Sequence, residues 1–68
     1  MDASDLVRMA NQIADFFKAY PHEEAVRETA NHIEKLWDPR MRRQLREYLD
    51  VGGKGLGELA AEAAKRAC

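Results

Sequence analysis

The chain reads as all-α, a small three- to four-helix domain with short connections, and three features carry that reading. Apolar residues recur at three- and four-residue steps along most of its length, the period of a helix with one buried face. Prolines at 21 and 39 and a glycine-rich stretch at 52–57 fall where those runs break. Alternation of apolar and polar residues, the mark of a strand, is absent.

Taken in order, the first helix is expected near residues 5–20. Ser4 reads as its N-cap, and Asp5 lies in the first turn, where the helix dipole favours an anion. Leu6, Met9, Ala10, Ile13, Phe16, Phe17 and Tyr20 form the apolar stripe, with Arg8, Asn11, Asp15 and Lys18 opposite. Pro21 breaks this helix and suits the opening of a second, near 21–37. Its stripe is Ala25, Val26, Thr29, Ala30, Ile33, Leu36 and Trp37. Asp38-Pro39 then reads as N-cap and first helical residue, so a third helix near 39–50 starts almost without a loop.

Met41, Leu45, Tyr48 and Leu49 share a face of that third helix. Gly52-Gly53-Lys54-Gly55 ends it, because glycine tolerates the left-handed conformation of a C-cap. A last helix near 56–67 carries Leu59, Ala60, Ala63 and Ala64. Such a stripe buries little area, which predicts an element either loosely docked or held against something larger.

Sixty-eight residues allow one domain, 1–68, with a thin core. Hydrophobic residues make up 46%, but eleven of them are alanine, too few large side chains for a self-sufficient enzyme cavity. Charged residues are 34% and nearly balanced at net −1, which argues against a nucleic-acid binder. One cysteine, Cys68, excludes a disulfide framework and a thiolate metal cage within the chain. The acidic start lacks the positively charged and apolar regions of a signal peptide, and no apolar run reaches membrane-spanning length. A soluble cytoplasmic protein is expected, with no membrane partner.

Candidate chemistries fail on spacing. His22-Glu23-Glu24-Ala25-Val26 departs from the zincin motif, whose second histidine falls at Val26, and His32 lies ten residues from His22. Ser4, Thr29 and Cys68 are explained as a cap, a helix face and a chain end, with no strained turn to activate a nucleophile. Glu23/Glu24 and Glu58/Glu62 read as solvated helix surface. In Gly52-Gly53-Lys54-Gly55-Leu56-Gly57, a P-loop needs Ser or Thr where Gly55 stands, and a dinucleotide fingerprint needs glycine where Glu58 stands. The stretch reads as a flexible connector, with a weak anion-binding nest as its only other use.

The segment around the second proline is different. Arg40, Arg42, Arg43 and Arg46 put four positive charges on little more than two turns, behind the only tryptophan. Part of this is expected to be local pairing, since Asp38–Arg42 and Arg43–Glu47 are i,i+4 neighbours. A solvated face and a protein–protein contact both account for the rest, with nucleic-acid contact a weaker third. Arginine and tryptophan are enriched at interface hot spots. Trp37 itself suits the core, with an edge left for a partner.

Met9-Ala10-Asn11-Gln12-Ile13-Ala14 with Phe16-Phe17, then His32-Ile33 and Leu36-Trp37-Asp38-Pro39-Arg40-Met41-Arg42-Arg43-Gln44-Leu45, resemble the delta subunit of soluble NAD-dependent formate dehydrogenases. The resemblance runs from about Leu6 through the double glycine. It implies a small non-catalytic accessory subunit of a cytoplasmic molybdenum enzyme. In that family bis-molybdopterin guanine dinucleotide and iron–sulfur clusters belong to the alpha subunit, and FMN and further clusters towards NAD to beta and gamma. No cofactor, metal or catalytic residue is therefore expected on this chain. The expected role is docking on and stabilising the alpha, catalytic subunit through Trp37, Pro39, Arg40, Met41, Arg42, Arg43 and Arg46. A maturation chaperone, acting transiently on the apo-enzyme or its molybdenum cofactor, is the alternative.

Overall fold

The helix boundaries are set by three small pieces of capping chemistry. The structure is a computed structural model that describes residues 2–68, so Met1 of the expected 1–68 domain lies outside the described residues. It contains α1 (Ala3–Phe17), α2 (His22–Leu36), α3 (Pro39–Asp50) and α4 (Glu58–Ala67), with no strand among the described residues.

Asp2, rather than Ser4, caps α1. Its Oδ1 accepts from the Ser4 N–H at 2.8 Å and the Asp5 N–H at 3.2 Å, and the Ser4 hydroxyl donates to the same oxygen at 2.7 Å. Both residues are competent caps; the helix starts two residues early because the carboxylate is the stronger acceptor. Those bonds, the Ser4 hydroxyl first, hold the Asp2 carboxyl below its ordinary 3.8.

α1 stops at Phe17, short of the expected residue 20: residues 18–20 leave the helix in a turn closed by the Tyr20 N–H to Phe17 carbonyl bond at 3.0 Å, and Tyr20, directly before Pro21, avoids helical backbone. Pro21 is the cap residue of α2 and not its first helical residue; its carbonyl accepts from the Ala25 N–H at 2.8 Å. Asp38 caps α3 as the sequence predicts, its Oδ1 accepting from the Met41 N–H at 2.9 Å, and Pro39 opens the helix.

The glycine-rich connector is fastened at both ends, which corrects the expectation of flexibility. Gly53 N–H reaches the Tyr48 carbonyl at 2.9 Å and Gly52 N–H the Leu49 carbonyl at 3.0 Å, the paired bonds of a Schellman end. Gly53 lies at φ +60, and a Cβ there would stand 3.2 Å from the Leu49 side chain. The Tyr48 hydroxyl donates to the Lys54 carbonyl at 2.6 Å. Asn11 ties down the far end, donating to the Gly55 carbonyl and accepting from the Gly57 N–H, both at 2.9 Å. Asn11 is thus not on a free polar face, and the Gly57 N–H is not available to an anion.

α4 is the packing centre: of the two expected alternatives, loosely docked or held against something larger, the structure shows it held against the other three helices. It contacts α1, α2 and α3, most extensively α2. Ala60, Ala63, Ala64 and Ala67 are all buried. Alanine contributes little area but lets helix backbones approach closely, so contact comes from proximity. Leu6, Val26, Ile33 and Leu45 fill the space around it and are fully buried, each contributing about 1.5–3 kcal/mol. His22 Nε2 lies 3.0 Å from Glu62 Oε1, and an Arg66 nitrogen is 3.2 Å from Glu23, so two of the acidic residues expected as plain solvated surface join α2 to α4.

The face of α1 that packs inward is rotated from the predicted stripe. Leu6, Val7, Ala10 and Ala14 are buried in the core. Met9 and Ile13 are only partly covered, and Phe16 and Tyr20 are exposed.

Candidate docking site

α1 has more apolar residues than its neighbours can cover, because Val7 and Ala14 widen the stripe beyond one buried face. The surplus lines an open groove of about 510 Å³ where α1 passes the end of α2 and the start of α3. Met9, Ile13, Phe16 and Phe17 come from α1, His32, Leu36 and Trp37 from the end of α2, and Met41 from α3. Phe16 is 74% exposed and Leu36 67% exposed. The Phe16 and Phe17 rings of the groove lining meet edge to face with centroids 5.0 Å apart, and Phe17 in turn meets Tyr20 at 5.8 Å.

Trp37 is placed by the helix joint. It is the C-cap of α2, its N–H bonding the Ile33 carbonyl at 2.9 Å, and extended backbone at φ −92, ψ 136 turns the chain into the Asp38 cap. The side chain folds inward and is 5% exposed, part of the core and of the groove lining at once.

The seven residues singled out from the sequence do not form one patch. α3 divides them. Trp37 and Met41 face the apolar groove. Pro39, Arg42, Arg43 and Arg46 line a second cleft of about 290 Å³, closed by Ala67 of α4 and its C-cap Cys68. Met41 and Arg43 are two positions apart, about 200° around a helix of 3.6 residues per turn. Arg40 is exposed and lines neither.

The local ion pairs differ from those expected. Asp38 spends its carboxylate on the α3 cap and is not paired with Arg42, nor is Glu47 with Arg43. The pair on α3 is Arg46 to Asp50 at 3.2 Å, both side chains about half exposed. Arg42 Nε is buried and has no hydrogen-bond partner, an arrangement that costs about 1–3 kcal/mol. Burial pushes the Cys68 thiol above its ordinary 9.0, with Arg42 and Arg46 pulling it down and Glu34 adding to the rise.

Sequence reasoning missed the groove. Met9, Ile13, Phe16, Phe17 and Leu36 read from periodicity as stripe residues and stand outside the expected contact, although the breadth of the α1 stripe is a readable signal. His32 stands in the groove wall. Among the described residues, no three of His, Cys, Asp and Glu converge as metal ligands, and no helix is long and apolar enough to cross a membrane.

Residues 5–64 match the family model described as NADH-dependent formate dehydrogenase delta subunit FdsD. No curated protein and no solved structure matches the chain.

Proposed function

Because the chain belongs to the family of NADH-dependent formate dehydrogenase delta subunits, we propose that it is a non-catalytic subunit which docks on the alpha, catalytic subunit of that complex. Redox chemistry then belongs to other chains: bis-molybdopterin guanine dinucleotide and iron–sulfur clusters on alpha, FMN and the route to NAD on beta and gamma. The complex acts in the cytoplasm.

The observation that carries the docking role is the pair Phe16 and Leu36, large apolar side chains left mostly in water on either side of the groove. A small domain with so little apolar material gains nothing by exposing them alone. Covering each recovers most of the ~1.5–3 kcal/mol that full burial contributes, with Trp37 and Met41 as a rigid floor. A subunit that binds the folded, cofactor-loaded state of its partner preferentially stabilises that state by mass action.

Phe16→Glu and Leu36→Glu test this. Both positions already face water, so the free chain keeps its helical circular dichroism. Retention in the purified complex falls at least tenfold, and complex recovered at wild-type yield from both variants overturns the assignment. The wild-type chain remains at fixed stoichiometry with the active, loaded enzyme. A chain found only on apo-enzyme, and absent after loading, identifies a maturation chaperone instead.

A further inference from the structure

α3 presents two different chemistries on two flanks, and the docking groove uses only one. On the other flank, Arg42, Arg43 and Arg46 converge on the cleft that Ala67 and Cys68 close. Four observations bear on what this cleft is for. Asp38, four residues before Arg42, is committed to the Met41 N–H at 2.9 Å. Arg43 has no carboxylate within ion-pair distance among the described residues, and neither has Arg42. Arg46 is held by Asp50 alone, across a pair that solvent reaches and a competing anion can displace. Arg42 lines the cleft, and its Nε is buried with no hydrogen-bond partner.

A buried guanidinium nitrogen without an acceptor is uncommon, because the donor has lost its water and gained nothing. Its planar fork matches a carboxylate in geometry as well as charge. A single lysine-like point charge would not need that orientation. We propose that this cleft is a second docking surface, which seats a carboxylate side chain from an acidic segment of a partner subunit between Arg42, Arg43 and Arg46. The inference rests on the subunit reading given above. With it, the chain is a bridge: its apolar groove and its cationic cleft bind on different flanks of α3.

The competing structural role is local. Arginines beside the last turn of α4 favourably meet the negative end of that helix. If that were all they did, removing them would lower the stability of the free chain and leave association unchanged.

The test compares Arg42→Gln/Arg43→Gln and the single Arg42→Lys with Phe16→Glu, measuring association with the remaining subunits of the complex at about 50 and about 300 mM NaCl. The wild-type chain weakens steeply with salt. The double variant binds at least tenfold more weakly at low salt, and its salt dependence flattens. Arg42→Lys keeps the charge but not the fork and recovers only part of the loss. Phe16→Glu binds weakly with the wild-type salt dependence.

In parallel, the Arg42 Nε–Hε resonance of the free chain is followed during titration with a hexaglutamate peptide and, at matched ionic strength, with inorganic phosphate. The resonance moves with the peptide at lower concentration than with phosphate. A wild-type chain that fails to associate, while that resonance still responds to the peptide, defeats the subunit reading and leaves the cleft as a carboxylate site. Association unaltered in the double variant overturns the cleft proposal alone. A preference for phosphate overturns it too, in favour of a small-oxyanion site.

Discussion

Asn11 holds Gly57 from 46 positions away: its Oδ1 accepts the Gly57 N–H at 2.9 Å while its Nδ2 donates to the Gly55 carbonyl at the same distance. One amide thereby closes the start of α4 onto α1. Asn11→Ala removes both bonds and is expected to destabilise the chain by about 1–3 kcal/mol. Amide exchange in 52–57 accelerates more than exchange in α2, because the loop loses its anchor before the core opens. Equal acceleration everywhere would show that Asn11 contributes only to global stability.

What the sequence shows of this molecule follows the range of the interactions involved. The α2–α3 joint is legible because Asp38 and Pro39 act on their own neighbours, and the second cap and helix start need nothing from the rest of the chain. The Asn11 clamp is illegible for the opposite reason, since nothing around Asn11 marks that its side chain will meet a loop so far along. α4 is only half legible, because an alanine stripe reports area and leaves loose docking and close packing both open, whereas its packing depends on closeness to α2. The apolar groove was misassigned because periodicity shows that Phe16 and Leu36 lie on apolar faces, but not whether a neighbouring helix covers those faces. The arginines were found by composition; that α3 would separate them from Trp37 needed coordinates.

Thr29 is fully buried on α2, and its hydroxyl has no hydrogen-bond partner. Valine keeps the branched shape and discards the stranded polar atom. Thr29→Val is therefore expected to stabilise the chain by about 1 kcal/mol in urea unfolding, with an unchanged denaturant slope. Thr29→Ser, which keeps the hydroxyl and loses the methyl, destabilises it. A loss of stability in the valine variant would mean that the hydroxyl is paired.

Ala64 is 0% exposed where α4 lies against its neighbours. Leucine there adds three carbons to a contact built on close approach, and overpacking of this kind costs about 1–3 kcal/mol. Ala64→Leu lowers the thermal midpoint, while Ala61→Leu on the partly exposed side of the same helix changes it little. Similar losses at both positions would place the cost in the helix itself and not in its packing.

The Cys68 thiol gives the chain an alkaline sensitivity whose sign follows from its surroundings. Burial, as the largest cause, raises its pKa above 9.0, Arg42 and Arg46 oppose that rise, and Glu34 adds to it. The folded state thus favours the protonated thiol. Below 9.0 both states keep the proton and its contribution to stability is whole. As pH rises past 9.0 the unfolded chain ionises first, and the contribution is lost as pH climbs through the folded value. Cys68→Ala is expected to flatten the alkaline limb of the stability profile relative to wild type and to leave the limb below pH 8 alone. Alkylation by iodoacetamide at about pH 8 is slower in the folded chain than in urea, since the thiolate is the nucleophile. Arg42→Gln removes one of the two positive charges that lower the pKa, so its alkylation is slower still; faster alkylation in that variant would mean that Arg42 acts on the thiol by covering it more than by its charge.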